Sequence, residues 1–219
     1  ALLPQRAGAA LQDYFTGVDE ARDAAQQYHT RTIAQAQRLQ QAEQLLQENK
    51  HLRELLELRN ESTGPAKAVQ VLYETADPYS HNIVIDKGAL SGIAPGSAVV
   101  DVAGVVGQVT RVYPLSSEVT LLTDRDAAIP VLNTRTQQRG AAFGGAEGGS
   151  GLELRFMAGN ADVQAGDALT TSGVDGVYPP GLPVARVARV ERRSDAGFAR
   201  IVLAPMAAMD NLRHMLVLE

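Results

Sequence analysis

Three residues of the chain have the types and order of a nucleophilic site. His81, Asp124 and Ser172 follow one another as in the triad of one class of serine peptidases, in which the histidine deprotonates the serine hydroxyl. Ser172, however, lies in Leu-Thr-Thr-Ser-Gly-Val, which lacks the neighbours that would shape an oxyanion hole. A Ser-Gly pair is more typical of a turn with Gly173 at positive φ. We therefore predict no catalytic residue and retain an exported serine peptidase only as the alternative function.

Other residue combinations are weaker candidates for a catalytic, metal-binding or phosphate-binding site. Asp124 with Asp126 and Asp162 with Asp167 form carboxylate pairs, but turn-forming residues flank them, and aspartate in turns usually caps backbone amides. No spacing of histidines and carboxylates fits a metal site, and residues 144–151 are not followed by the Lys-Ser/Thr of a phosphate loop. The chain has no cysteine, which excludes disulfides and thiolate sites. The sequence thus predicts neither cofactor nor metal.

Charge and hydropathy exclude two further classes of interaction. The net charge is −5, and the densest basic cluster, Arg189, Arg192 and Arg193, is too small for phosphate binding. We therefore predict no nucleic-acid partner. No stretch is long and apolar enough to span a membrane. Because the chain begins at Ala1 without methionine, we expect a membrane anchor upstream of it in a longer protein.

A heptad repeat within residues 39–59 predicts a coiled coil. The apolar seam, at heptad positions a and d, consists of Ala42, Leu45, Asn49, Leu52 and Leu56. Such a seam must be covered by another helix, and Asn49 at an a position favours a parallel, in-register homodimer. We predict these five residues as the dimer interface. The alternative places Asn49 on the surface of a helix that lies against the rest of the chain.

The predicted helix extends well beyond the seam. Leu46 and Leu55, at positions e and g, widen the apolar stripe and are expected to pack on the β-rich head or on another protein. No proline interrupts residues 5–64, so one helix is expected over about residues 10–60, with irregular heptads over 19–38. Ser62 to Pro65 end it. The predicted domains are a helical stalk, 1–63, and a β-rich head, 64–219, whose two barrel-like subdomains are expected to be interleaved in the sequence.

The head has a pattern of short strands between turns. Twelve strands are predicted at 68–72, 82–86, 98–102, 107–113, 119–122, 129–132, 140–143, 152–156, 168–171, 182–190, 199–203 and 215–218. With almost no helix among them, they indicate barrels or a sandwich. The predicted fold class is α+β, a long N-terminal coiled-coil helix followed by an all-β head of two small barrel-like subdomains.

Two segments of the head resemble each other. Gly96-Ser-Ala-Val with Val109-Thr-Arg-Val is similar to Gly166-Asp-Ala-Leu with Val187-Ala-Arg-Val. An internal repeat of two half-barrels explains this, with the 144–151 stretch as a mobile loop, and chance similarity of Gly/Val-rich strands is the alternative. Among the few aromatic residues, Tyr79 and Tyr178 lie beside prolines in expected loops, so we predict them as partner contacts.

The order of these segments resembles the MreC family of rod shape-determining proteins over nearly the whole chain. The resemblance rests on the leucine-rich run at 45–56 and on the segments 84–88, 96–101, 104–109, 121–124 and 129–131. The most specific segments are Gly-Asp-Ala-Leu-Thr-Thr-Ser-Gly at 166–173 and Tyr-Pro-Pro-Gly-Leu-Pro-Val at 178–184.

The resemblance implies the periplasmic part of a protein anchored in the bacterial inner membrane. It implies a non-enzymatic scaffold of the elongasome that organises lateral peptidoglycan synthesis and cell shape. The implied partners are a second copy, in dimers and filaments, a class B penicillin-binding transpeptidase, MreD and MreB. The family's head is similar to chymotrypsin-like barrels without being known as a peptidase. A third hypothesis is a periplasmic adaptor of a secretion or efflux system. Such adaptors usually have strands on both sides of a helical hairpin, whereas in this sequence the whole helical part precedes the strands.

Overall fold

The computed structural model describes residues 33–60, 64–75, 77, 80–146, 151–155, 157, 161–191 and 199–219. The chain divides into two compact units, Ala1–His51 and Leu52–Glu219. Residues 33–51 of the first unit are helical, and residues 52–60 of the second are helical too. This helix (α1, residues 33–60) confirms the described part of the predicted one. The expectations for residues 1–32, and for the helix end at Ser62 and Thr63, lie outside the described residues.

The second unit contains all twelve predicted strands. They are β1 Ala66–Glu74, β2 Asn82–Ile85, β3 Ala98–Val100, β4 Val105–Val112, β5 Ser117–Leu121, β6 Ala128–Asn133, β7 Arg139–Ala146, β8 Gly151–Arg155, β9 Ala168–Thr171, β10 Pro183–Glu191, β11 Arg200–Pro205 and β12 His214–Leu218. Two short 3₁₀ turns, Ala89–Ser91 and Met209–Asn211, connect some of them. The strands are rich in valine, isoleucine and leucine, which pack well on a pleated surface.

The strands close into two six-stranded barrels, both antiparallel throughout. Barrel 1 has the order β1-β12-β3-β4-β5-β2, and barrel 2 has the order β10-β11-β8-β7-β6-β9. Barrel 2 is therefore inserted in the sequence between β5 and β12 of barrel 1. Closure pairs each of the twelve described strands on both sides, so these strands have no free sheet edge for uncontrolled pairing. The predicted head of two small barrels is confirmed.

Strand alternation separates the two faces of barrel 1. The side chains of Val99, Met215 and Val217 fill the barrel, while Ala98, Val100 and Leu216 from the same strands point outward. These outward residues belong to the same apolar cluster as the interior of barrel 2. Because a residue and its neighbour face opposite sides of a strand, the apolar run Ala98-Val99-Val100 contributes to two cores at once.

The segments that resemble each other form equivalent hairpins. Gly96 N–H donates to the Val109 carbonyl at 2.8 Å, and Gly166 N–H donates to the Val187 carbonyl at the same distance. The return bonds, Val109 N–H to Ser97 and Val187 N–H to Asp167, are both 2.9 Å. The first hairpin is β3–β4 of barrel 1 and the second is β9–β10 of barrel 2. The sequence similarity therefore reflects the same structure in each barrel.

A glycine allows the two barrels to approach closely. Gly104, in the turn between β3 and β4, has φ +154°, and a Cβ placed there would lie 2.3 Å from the Pro183 carbonyl oxygen of barrel 2. The Asp101 side chain fixes the turn, since its Oδ1 accepts the N–H groups of Ala103 and Gly104 at 2.8 and 2.9 Å. A residue with a side chain fits this position only if the turn or one of the barrels moves.

An ionic network closes one end of barrel 2. The Asp167 carboxylate is buried and accepts four hydrogen bonds, from Arg135 Nε at 2.7 Å, Arg135 Nη2 at 2.9 Å, Asn133 Nδ2 at 2.8 Å and Gln164 N at 3.0 Å. Arg135 also donates to the Asp162 carboxylate at 2.7 Å. The Arg135 guanidinium holds the pKa values of both carboxyl groups below their usual range.

The Asp167 network predicts a pH dependence of stability. Because the pKa of Asp167 is lowered on folding, its contribution is complete above its unfolded pKa of about 3.9 and is lost as the pH falls below that value. At pH 7 we expect Asp167→Asn to lower the free energy of unfolding by about 2 kcal/mol. Denaturant unfolding from pH 7 to pH 3 should show this difference shrinking. Asp126→Asn, which changes an exposed carboxylate, is the control; a difference that stays constant to pH 3 contradicts the prediction.

Candidate interaction surfaces

The predicted dimer seam is an exposed apolar stripe on α1. Leu45 is 65% exposed, and Leu52 and Leu56 are 37% and 48% exposed. Ala42 and Asn49, the two remaining seam residues, are exposed as well, as are Leu39 and Leu46. Large exposed aliphatic side chains in a helical row are typical of a surface that another chain covers.

Leu55 differs from the other leucines of the stripe. It is 4% exposed and belongs to the apolar cluster that includes the outward-facing Leu216 of β12. Leu58 packs partly buried against the same cluster. Of the two outcomes expected for Leu55, packing on the head is the one observed. The end of α1 is thus fixed to barrel 1, which no heptad pattern reveals.

A groove lies between this end of α1 and the outer face of barrel 1. It has a volume of about 360 Å³ and mostly apolar walls. Leu52 and Leu56 form one wall, and Ala68, Gln70 and Leu216 form the other. Two of the predicted seam residues therefore face a surface of the head as well as solvent.

The trio considered for the peptidase alternative, His81, Asp124 and Ser172, is not assembled. The Asp124 carboxylate accepts the backbone N–H of His81 at 2.6 Å and that of Asp126 at 2.9 Å. The His81 ring instead contacts Thr123, with Nδ1 3.1 Å from Oγ1. Ser172 lies in barrel 2, where its Oγ is buried without a hydrogen-bond partner. A hydroxyl with no base beside it is not activated as a nucleophile, so this geometry argues against the peptidase alternative.

The candidate carboxylates have structural roles. Asp124 ties the segment before β2 to the link between the barrels, and Asp162 and Asp167 bind Arg135. Their lowered pKa values keep Asp162 and Asp167 ionised, whereas an acid catalyst needs a raised pKa. Among the described residues, no group of three or more His, Asp or Glu side chains is placed to hold a metal ion. No local pattern pointed to Arg135, because its partners Asp162 and Asp167 lie 27 and 32 residues further along the chain.

Of the two tyrosines predicted as partner contacts, the structure describes only Tyr178. Tyr178 is buried in the apolar cluster of barrel 2, and burial beside Asp175 raises the pKa of its hydroxyl. Its ring is part of the core, so the structure does not support a partner contact there. Tyr79 lies outside the described residues, as do Arg192, Arg193 and residues 147–150 of the 144–151 stretch. Gly173 has φ +72°, as its predicted turn requires.

Within the described residues, no helix combines the length and hydropathy that crossing a membrane requires.

Comparison with known proteins identifies one family. The family model "Rod shape-determining protein MreC, barrel core" matches residues 71–219. The cell shape-determining protein MreC of Escherichia coli is 38% identical over 80% of this chain and 47% of its own length. The MreC of Haemophilus influenzae is 37% identical over 80% of this chain and 50% of its own length. The chain thus spans about half the length of the curated relatives it matches.

Solved structures have the same fold. A crystal structure of MreC from Pseudomonas aeruginosa matches with a TM-score of 0.67 and 36% identity, over 70% of this chain and 99% of that one. Another structure, named MreC, matches with a TM-score of 0.74 and 36% identity, over 80% and 99%. A complex between penicillin-binding protein PBP2 and MreC from Helicobacter pylori matches with a TM-score of 0.53, over 70% and 99%. At 16% identity it shows the fold alone.

Proposed function

The chain belongs to the MreC family of rod shape-determining proteins, and we propose that it acts as a non-enzymatic scaffold in the periplasm. In this proposal α1 pairs with α1 of a second copy and holds two double-barrel heads in register. The heads bind wall-synthesis enzymes of the elongasome and so organise lateral peptidoglycan synthesis and cell shape. An N-terminal segment anchors the protein in the inner membrane.

The exposed leucine stripe is the observation that carries the proposal. Leu45 and Leu52 are one heptad apart on a helix, and both are accessible in the single chain. Covering a leucine side chain stabilises an assembly by about 2 kcal/mol, so a stripe of this length favours pairing. Asn49 lies in the same stripe and finds an amide partner only in a parallel, in-register pair.

The fold of the head supports a binding role rather than catalysis. The polar contacts of Asp124 and Arg135 hold segments of the head together, and Gly104 allows the two barrels to approach closely. Closed barrels without free edges present stable outer surfaces, which suits a platform for other proteins. We propose a class B penicillin-binding transpeptidase as a direct partner, in line with the complex solved for the Helicobacter pylori protein. MreD, MreB and further copies in filaments are proposed as additional partners.

A titration against a purified class B penicillin-binding transpeptidase tests this function. We expect saturable binding of the transpeptidase to the native chain in isothermal calorimetry. A chain with Leu45→Asp and Leu52→Asp should still bind through its heads, but as a monomer. Absence of binding to the cognate transpeptidase by the dimer would contradict the scaffold role. Hydrolysis of a peptide by the chain, lost in Ser172→Ala, would support the peptidase alternative instead.

A further inference from the structure

We propose that a cleft between the two barrels binds a neutral saccharide, whose hydroxyl and acetamido groups are held by a row of polar side chains on barrel 1. The cleft has a volume of about 400 Å³. Small-molecule sites in proteins typically measure about 300–1,000 Å³. The inference assigns a ligand-binding role to residues of the head that the coiled-coil seam does not include.

The polar wall of the cleft lies on the outer face of barrel 1. Asn82 of β2, Thr120 of β5 and Gln108 of β4 lie side by side, because Thr120 pairs in register with both of the others. Their neighbours Ile83 and Val109 fill the interior of barrel 1, so the row itself faces outward. Two side-chain amides therefore flank one hydroxyl across three strands.

Further polar side chains extend this wall. The hydroxyl oxygens of Thr110 and Thr120 lie 3.0 Å apart. The Glu118 carboxylate accepts hydrogen bonds from Asn82 Nδ2 at 3.0 Å and from Arg111 Nη1 at 3.4 Å. Amides and hydroxyls both donate and accept hydrogen bonds. The wall thus offers both kinds of group at fixed positions, which is what a ligand rich in hydroxyl groups requires.

One acceptor in this wall has no partner within the protein. Asn82 Oδ1 is buried and makes no hydrogen bond, whereas Nδ2 of the same side chain donates to Glu118. A buried acceptor without a donor destabilises the protein. Because rotation about χ2 of asparagine is soft, this oxygen can turn into the cleft toward an O–H or N–H group of a ligand.

The opposite wall of the cleft is mainly apolar. It comes from the link between β5 and β6 and from barrel 2, with Leu122, Ala127, Ala128, Ile129 and Tyr178. The Asp124 carboxylate, which also lines the cleft, already accepts two backbone N–H groups. Small-molecule sites commonly combine apolar walls with a few placed polar groups. A sugar ring matches this arrangement, because its C–H faces are apolar and its hydroxyl groups lie at the edge.

The cleft fits a compact neutral ligand better than a peptide or an acidic sugar. An extended peptide usually binds by adding a strand to a free sheet edge, and the twelve described strands are paired on both sides. Recognition here must therefore use side chains. Three carboxylates line the cleft, from Glu118, Asp124 and Asp126, against the single guanidinium of Arg111. Like charges repel, so a negatively charged sugar is disfavoured.

Titration with N,N′-diacetylchitobiose, a neutral disaccharide with two acetamido groups, tests the cleft. We expect saturable binding to the native chain, with amide NMR shifts concentrated on the residues that line the cleft. Thr110→Val with Thr120→Val removes both hydroxyls of the pair at once and should weaken binding about tenfold. The matched control, Thr134→Val with Thr170→Val, changes one exposed and one half-buried threonine of barrel 2 and should bind like the native chain.

A second saccharide tests the role of the amides. Cellobiose has the same linkage as N,N′-diacetylchitobiose but carries hydroxyls in place of the acetamido groups. It should bind about fivefold more weakly, because it lacks the groups that pair with the side-chain amides of Gln108 and Asn82. Equal binding of the two disaccharides would overturn the recognition of acetamido groups.

Filling the cleft gives an independent readout. Ala128 is exposed at the start of β6 and lines the cleft, so Ala128→Tyr should abolish binding. Ala204→Tyr, at an exposed site of β11, should leave binding unchanged, and both variants should unfold as cooperatively as the native chain. Binding that persists in Ala128→Tyr, or no binding by the native chain, would overturn the inference. The proposed dimer and transpeptidase binding are measured separately and would stand.

Discussion

Replacing Leu45 and Leu52 with aspartate is expected to convert the proposed dimer into monomers. Both residues occupy d positions, and each loses about 2 kcal/mol of apolar burial in each chain. Four such losses amount to about 8 kcal/mol, which raises the dissociation constant by more than five orders of magnitude. Burying four carboxylates would cost still more, so the paired state is not populated.

Size-exclusion chromatography with light scattering measures this change. The matched control is Leu90→Asp with Leu115→Asp, because these leucines are also strongly exposed but lie at turns of barrel 1. We expect the control to remain dimeric and both variants to keep the circular dichroism of the native head. A seam variant that still elutes with the native mass would show that α1 does not carry the dimer.

Gly104→Ala is expected to destabilise the head strongly. The added methyl group would meet the Pro183 carbonyl at a distance that no non-bonded carbon and oxygen tolerate, so either the turn or the setting of the two barrels must change. We expect a loss of about 3 kcal/mol in the free energy of unfolding, the upper end for overpacking. The substitution should also weaken binding of any partner that contacts both barrels.

Gly166→Ala separates the effect of the steric clash from the effect of placing alanine at positive φ. Gly166 also has positive φ, at +93°, but a Cβ there has no heavy atom within 4 Å. Gly166→Ala should therefore lower the free energy of unfolding only by the cost of placing alanine at positive φ, about 1 kcal/mol. Urea unfolding of the two variants gives the difference directly. Equal losses would mean that the approach of the barrels at Gly104 is not tight.

Local patterns of the sequence predicted the elements of the head and the described helix. Glycines and prolines at turns bound the valine-rich runs, and this pattern located all twelve strands. The similarity of the segments at Gly96 and Gly166 predicted a repeat, and the structure shows two equivalent hairpins. These features depend on residues close together in the chain, which is why the sequence alone reveals them.

Features that depend on distant residues were not predictable in the same way. The order of strands around each barrel, with β12 returning to barrel 1, leaves no local pattern. Leu55 has the same spacing as its exposed neighbours, and only the position of Leu216 explains why it is buried. Tyr178 was predicted as a contact because prolines follow it, yet the fold places its ring in the core.

Sedimentation equilibrium of the native chain, over a wide range of concentrations, tests the paired scaffold most directly. The exposed seam predicts a mass of twice the 23.3 kDa of one chain, with larger species at the highest concentrations if heads also associate. A mass of 23.3 kDa at every concentration would contradict pairing through α1.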